Sequence, residues 1–266
     1  MIVDGKKLAN TILEQCAALP KTDKFCAAFL VGDDQASISF LKQKHKAAEK
    51  AGVDFRLFQF PSEIQNDVLK SAIEKVASDD VCGGIILQLP VPSQINKYEI
   101  LNVIPVEKDV DVLSERALGA FYSEQAKVLP PAVGVIETIC KEKNYDLASH
   151  SVAVVGLGLL VGRPIANWVM RKAKETILLR SSSDLSLLKN TDLVITGAGK
   201  AHLIKPEMLK NGASVIDFGY DSMLGDFDAT ELTPDDSSIA FYTPTPGGTG
   251  PILVAKLFEN FYKLNK

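Results

Sequence analysis

Hydrophobic residues along this chain follow two rhythms that take turns from one end to the other. Largely apolar runs of strand length, at 25–31, 85–89 and 151–160, alternate with stretches whose apolar residues return every three or four positions. An unbroken run suits a strand buried on both faces, and the longer spacing suits a helix with one buried face. Asp4 caps a predicted first helix that reaches residue 19. A strand at 25–31, a helix at 35–51 stopped by Gly52, a strand at 53–60 and a helix at 63–77 are expected next. A strand at 83–89 closed by Pro90 and a short helix at 96–103 complete this half. The pattern lapses between Leu113 and Pro130, then restarts with a helix at 130–143. Strands at 151–156, 176–179, 192–196, 214–218 and 239–242 follow, with helices at 162–173 and 185–188 and an apolar helix at 252–262. Such alternation predicts an α/β fold with largely parallel sheet. The lapse marks the expected boundary between one domain at 1–118 with 251–266 and another at 119–250.

Composition narrows the classes. With 46% apolar residues, mixed charges and a net charge of -4, the 266 residues read as a soluble globular protein of one or two domains. The chain has no basic run or aromatic-basic stripe, so neither nucleic acid nor an anionic membrane is an expected partner. Its apolar runs are well short of a membrane span, and charges scattered through residues 1–19 are unlike a signal peptide. Cys16, Cys26, Cys82 and Cys140 sit in apolar contexts at unrelated spacings and read as reduced core residues, which suits the cytoplasm. His45, His150 and His202 are too scattered for a metal site, and no metal is expected.

In the second half, the apolar strand from Val152 runs into Gly156-Leu157-Gly158-Leu159-Leu160-Val161-Gly162-Arg163-Pro164 and then a helix. That order offers backbone N–H groups and the positive end of a helix dipole to a dinucleotide pyrophosphate. The GxGxxxG spacing is one residue longer than the usual fingerprint. The next strand ends in Arg180-Ser181-Ser182-Ser183, where a site for NAD offers a carboxylate. A guanidinium with hydroxyls suits a 2′-phosphate, so NADP is predicted over NAD. The plainer reading leaves Arg180 solvated, with Ser181 or Ser183 capping the next helix.

In the first half, Ser37, Phe40, Leu41 and Lys44 share one helix face. A lysine there either snorkels to water or is partly desolvated and able to exchange protons near neutrality. Gln88 ends a buried strand, and Asp111 lies in the polar loop Glu107-Lys108-Asp109-Val110-Asp111. The three could supply a proton-transfer group, a neutral orienter and a carboxylate for a nitrogen-rich ring. Near the C-terminus, the run from Thr243 to Pro251 has three Gly and three Pro in nine residues, a rigid turn that lets backbone approach a flat ligand.

The segments VGDDQASISFLKQKHKAAEKAG, GGIILQLPVP, KDVD, VGLGLLVGRP and TPTPGGTGP together resemble the methylenetetrahydrofolate dehydrogenase/cyclohydrolase family, in order and spacing, over nearly the whole chain. The resemblance implies a folate-binding α/β domain and a Rossmann-type domain with a cleft between them, commonly in a homodimer. It implies oxidation of 5,10-methylenetetrahydrofolate by NADP+ and hydrolysis of the methenyl product to 10-formyltetrahydrofolate. On matching positions, Lys44 is catalytic, Gln88 positions it and Asp111 holds the pterin. Ser37, Phe40, Leu87, Leu89, Pro246, Gly247, Gly248 and Gly250 fall at substrate positions. Gly156, Leu157, Gly158, Gly162, Arg163, Pro164, Arg180, Ser181, Ser182, Ser183 and Tyr220 fall at cofactor positions.

Four departures stand out. Phe40 replaces the family's tyrosine, keeping a ring to stack on the pterin but losing the hydroxyl. Val112 stands where the family favours glycine, and Pro130-Pro131-Ala132-Val133 lacks a family threonine. Gly158 replaces a serine, and Leu157 brings no basic charge to the phosphate turn. The alternatives to a bifunctional enzyme are a dehydrogenase without the hydrolysis and a folate- or nucleotide-binding protein without chemistry.

Overall fold

The computed structural model describes residues 1–233 and 237–266. The chain divides into two compact units, Asn10–Pro131 with Val254–Lys266, and Met1–Ala9 with Ala132–Leu253. Residue 118, at the expected boundary, lies inside the helix Glu115–Tyr122. The N-terminal residues join the second unit because their backbone pairs with its last strand: Val3 N–H donates to Tyr242 O (2.8 Å) and Tyr242 N–H to Met1 O (3.0 Å).

The first unit holds a parallel sheet in the order β2-β1-β3, from β1 (Phe25–Val31), β2 (Asp54–Phe60) and β3 (Cys82–Leu87). Every residue of β1 is buried, as an unbroken apolar run requires of a central strand. Phe29 stacks on Phe58 and Phe60 with ring centroids 5.1 and 6.2 Å apart, and shares its core with Leu69, Ile73, Ile85 and Ile100. Around the sheet lie α1 (Gly5–Ala17), which begins in the other unit, α2 (Gln35–Ala51), α3 (Asn66–Ala77), α4 (Lys97–Asn102) and α5 (Glu115–Tyr122). Asp34 caps α2 by accepting from Ser37 N–H, and Gly52 ends it in the left-handed region at φ 73°. The predicted start of α3 comes three residues too early, because a turn from Pro61 O to Ile64 N–H occupies that stretch. Where the sequence pattern lapses, the chain forms α5, capped by Ser114, with Ala117 and Phe121 buried four residues apart.

The second unit holds β4 (Ser151–Val155), β5 (Glu175–Leu179), β6 (Leu193–Thr196), β7 (Ala213–Asp217) and β8 (Ile239–Tyr242), all parallel, in the order β5-β4-β6-β7-β8. Strand order reverses at β4, so the carboxyl ends of β4 and β6 flank a topological switch point, where open α/β sheets bind ligands. Here lie α6 (Pro131–Glu142), α7 (Gly162–Val169) and the start of α8 (Thr249–Leu264), while the helix expected at 185–188 is a 3-10 turn. Pro251 sits in the first turn of α8, where its missing N–H is no loss, so that helix starts three residues before the apolar pattern does. Among the described residues, no group of three or more His, Cys, Asp or Glu could hold a metal, and no helix is long and apolar enough to cross a membrane.

Candidate active site

In the first unit, Lys44 lies in the middle of α2, one turn beyond Leu41 on the buried face. It is 8% exposed, so the snorkelling alternative does not hold. Gln88 follows β3 directly, and its N–H continues the sheet by donating to Phe29 O at 2.9 Å. Its side chain has one orientation. Nε2 donates to Leu89 O (2.7 Å), an atom that can only accept, which leaves Oε1 to accept from Lys44 Nζ at 2.9 Å.

Lys44 therefore points at a neutral partner. Burial pushes its ammonium below the usual lysine range, against the pull of Asp111 and the sulfur of buried Cys26. Burial also lifts the Asp111 carboxyl to about 6, with Lys44 opposing and Asp109 adding to the rise. Both groups are thus moved toward their uncharged forms, the direction that favours proton exchange between a buried amine and its surroundings. Asp109 accepts from Leu113 N–H (3.0 Å) and Ser114 N–H (2.8 Å), fixing the loop that carries Asp111. Sequence reasoning passed over Asp109, although it stands in the same KDVD segment.

The remaining substrate positions differ in character. Ser37 is buried on α2, and Phe40 is 39% exposed. Leu87 is turned into the protein core. It is 2% exposed and belongs to the core around Phe29, a consequence of ending a strand buried on both faces. Leu89, partly buried, packs against that same core.

In the second unit, Gly156 follows β4 with φ 86°, and a Cβ there would lie 2.7 Å from both Ala198 N and Gly197 O. A Cβ on Gly162 would collide with Gly156 O, whereas Gly158 faces open space. The turn thus exposes backbone at Gly158 while α7 presents its N-terminus, a cradle that fits a pyrophosphate. Arg163 donates from Nε to Leu157 O at 3.0 Å, and Pro164 is buried in the first turn of α7. An open pocket of about 450 Å³ is lined by Leu157, Arg163, Ala166, Asn167, Met170, Leu178 and Arg180, so both guanidinium side chains border one space at the end of β5. Ser181 and Ser182 are exposed beside Arg180. Ser183 Oγ accepts from Arg180 N–H (3.0 Å), and the following turn is capped by Asp184 rather than by a serine. Tyr220, in the loop after β7, directs its hydroxyl to Met223 Sδ. Pro246, Gly247, Gly248 and Gly250 form the expected turn before and into α8, with Gly248 N–H donating to Pro244 O at 2.8 Å. The loop Gly197-Ala198-Gly199-Lys200 after β6 adjoins the dinucleotide turn but went unnoticed in the sequence; two glycines directly after an apolar strand were the available signal.

The description "tetrahydrofolate dehydrogenase/cyclohydrolase, catalytic domain" matches residues 3–111, and the family's NAD(P)-binding domain matches residues 130–266. The bifunctional protein FolD 2 of Lactobacillus johnsonii is 35% identical over 270 residues, covering 97% of this chain and 95% of that one. The structure of the FolD methylenetetrahydrofolate dehydrogenase/cyclohydrolase of Campylobacter jejuni superposes with a TM-score of 0.94 at 30% identity, covering 99% of this chain and 98% of that one. The Trypanosoma brucei FolD structure, solved with NADP cofactor and an inhibitor, shares the fold at a TM-score of 0.91 and 23% identity, covering 99% and 96%. With both halves matched in order and the buried Lys44–Gln88 pair in the half that corresponds to the catalytic domain, the chain belongs to the tetrahydrofolate dehydrogenase/cyclohydrolase family.

Proposed function

We propose that this chain oxidises 5,10-methylenetetrahydrofolate to the 5,10-methenyl cation, with NADP+ as hydride acceptor, and adds water to that cation to give 10-formyltetrahydrofolate. The buried Lys44–Gln88 hydrogen bond beside Asp111 is the observation that carries this reading. Lys44, as the amine that burial favours, takes a proton from the water attacking the methenyl carbon. As the ammonium it returns a proton to the ring nitrogen that departs, and the carbinol hydroxyl proton goes to solvent. Gln88 holds Nζ in place without adding a charge, and Asp111 accepts from the N–H groups of the pterin. Phe40 supplies a ring face for stacking.

The unit of Asn10–Pro131 with Val254–Lys266 binds folate in this reading, and the unit of Met1–Ala9 with Ala132–Leu253 binds the dinucleotide. Arg163 and Arg180 bordering one pocket favour NADP over NAD, since a 2′-phosphate needs cationic donors where NAD needs a carboxylate. Ser181, Ser182 and Ser183 add hydroxyls at that rim. A homodimer through the second unit fits a sheet that ends in β5, a strand paired on one side only. Four free, buried cysteines fit the cytoplasm.

Purified protein given 5,10-methylenetetrahydrofolate with NADP+, and separately NAD+, tests the assignment, with reduced nicotinamide and methenyl product followed together by absorbance. The expected result is reduction with NADP+ preferred and methenyl product consumed. Lys44→Met should slow hydrolysis by roughly 100-fold or more and spare hydride transfer by comparison. No reduction with either nucleotide would sink the dehydrogenase, and normal hydrolysis by Lys44→Met would remove Lys44 from the mechanism.

A further inference from the structure

Two carboxylates lie buried at the carboxyl edge of the five-stranded sheet. Asp217 ends β7 at 1% exposure, and Asp226, in the loop that follows, is 0% exposed. Neither has a basic partner among the described ion pairs; each is held by hydrogen bonds from loops. Asp226 Oδ2 accepts from Thr196 Oγ1 (2.6 Å) and Ala198 N–H (2.6 Å), and Oδ1 accepts from Lys200 N–H (2.7 Å). Asp217 accepts from Gly219 N–H (2.6 Å) and Phe227 N–H (2.9 Å). The main chain of Asp217 also holds both ends of the Pro-Gly-Gly turn: its N–H donates to Thr243 Oγ1 (2.7 Å), and its carbonyl accepts from Thr249 Oγ1 (2.7 Å).

The backbone is shaped around these carboxylates. A Cβ on Gly219 would run into the Asp226 carboxylate, and a Cβ on Gly225 would run into that of Asp217. The result is a reciprocal clasp joining the loops after β6 and β7 and the turn after β8. The first of these loops is in direct contact with the dinucleotide turn, because Ala198 lies where a Cβ on Gly156 would fall. Buried charge is expensive to retain where structure alone is needed. Here burial, with Asp226 adding to it, holds the Asp217 carboxyl up to about 7 against the Phe227 and Gly219 N–H groups.

We propose that Asp217 and Asp226 are positioning residues for the dehydrogenase step: their side chains fix the loops after β6 and β7, which locate the nicotinamide half of the dinucleotide at the carboxyl edge of the sheet. This rests on the dehydrogenase reading above. Misplacing a reactant by a fraction of its contact distance costs hydride transfer steeply, while water addition at Lys44 uses no nicotinamide.

The test compares Asp226→Asn and Asp217→Asn with the wild type in three readouts: hydride transfer, hydrolysis of methenyltetrahydrofolate without nucleotide, and NADPH binding by nicotinamide fluorescence. An amide keeps the size but turns one oxygen into a donor facing an N–H. We expect kcat for hydride transfer to fall about 10- to 100-fold, with hydrolysis within about threefold and altered emission of bound NADPH. Thr196→Val, which removes one donor and leaves the carboxylate, should give a smaller loss in the same direction and serves if either amide variant fails to fold. Equal losses in both activities would reduce the pair to general scaffolding and overturn the proposal, as would no loss in hydride transfer. If the wild type itself transfers no hydride, the functional assignment fails separately. Unchanged nicotinamide emission in the variants would then still overturn the positioning role.

Discussion

Lys44 and Asp111 are perturbed by the same burial in opposite senses, and each opposes the other's shift. The sign for stability follows from the raised carboxyl. The folded protein holds the Asp111 proton up to about pH 6, whereas an unfolded chain releases it at the ordinary carboxylate value of about 4. Asp111 thus contributes stability below pH 4 that is lost as pH rises through 6. Asp111→Asn, which cannot ionise, should gain stability relative to the wild type between about pH 4 and 6 in urea unfolding, and a flat difference would contradict the shift. Arg180 gives a second residue-level outcome. Arg180→Ala should raise the Michaelis constant for NADP+ by about 10-fold or more, the scale of a lost charge-assisted contact to a phosphate, and leave that for NAD+ within about twofold. Equal effects on the two nucleotides would mean that this guanidinium does not read the 2′-phosphate.

At the scale of elements, the loop of residues 109–113 shows where local preference and tertiary packing compete. Val112 adopts φ 56°, a left-handed conformation that disfavours a β-branched residue by about 1–2 kcal/mol. It is nonetheless 1% exposed, so its side chain recovers about as much by burial. Glycine is the local solution and valine a packed one, and the loop keeps its turn. Val112→Gly should therefore change stability by less than about 1 kcal/mol, because strain relief offsets lost burial. Val110→Gly, at 0% exposure without that strain, should cost about 3 kcal/mol. Comparable losses measured by urea unfolding would show that Val112 is not strained. This contrast also indicates what sequence can reveal. The strands β1, β3 and β4 were legible because burial on both faces writes an unbroken apolar run, and Lys44 because helical spacing put it on a buried stripe. Helix α5 was not, since eight residues with two buried side chains make too short a period; only Ser114 announced it. Asp226 was equally hidden, because two of its three partners are backbone N–H groups that no residue type advertises.

Across the molecule, the last half of α8 is the element that sequence order conceals and the first unit depends on. It lies more than 120 residues beyond the rest of that unit, yet it touches each segment that carries a candidate catalytic side chain. Tyr262 Oη donates to Ala51 O (2.8 Å) at the end of the Lys44 helix. Asn265 Nδ2 donates to Gly83 O (2.8 Å) in the strand leading to Gln88. Asn260 Nδ2 donates to Val110 O (2.9 Å), the carbonyl of the peptide that joins Asp111, and to Leu129 O (2.8 Å). Gly84 admits this helix, for a Cβ there would sit 2.8 Å from both Phe261 and Val110. Asn260→Leu keeps the volume and strips both donors, which leaves the buried Val110 carbonyl and the half-buried Leu129 carbonyl without them, at about 1–3 kcal/mol for the buried one and less for the other. Leu257→Ala, on the same helix at 1% exposure, costs a similar 2–5 kcal/mol by opening a cavity, and a leucine side chain makes no hydrogen bond to the Asp111 loop. At a temperature where both variants remain folded, Asn260→Leu should raise the Michaelis constant for methenyltetrahydrofolate several-fold, and Leu257→Ala should not. Parallel changes in the two would reduce α8 to core packing, whereas a separation would make Asn260 the group through which the C-terminus sets the position of Asp111.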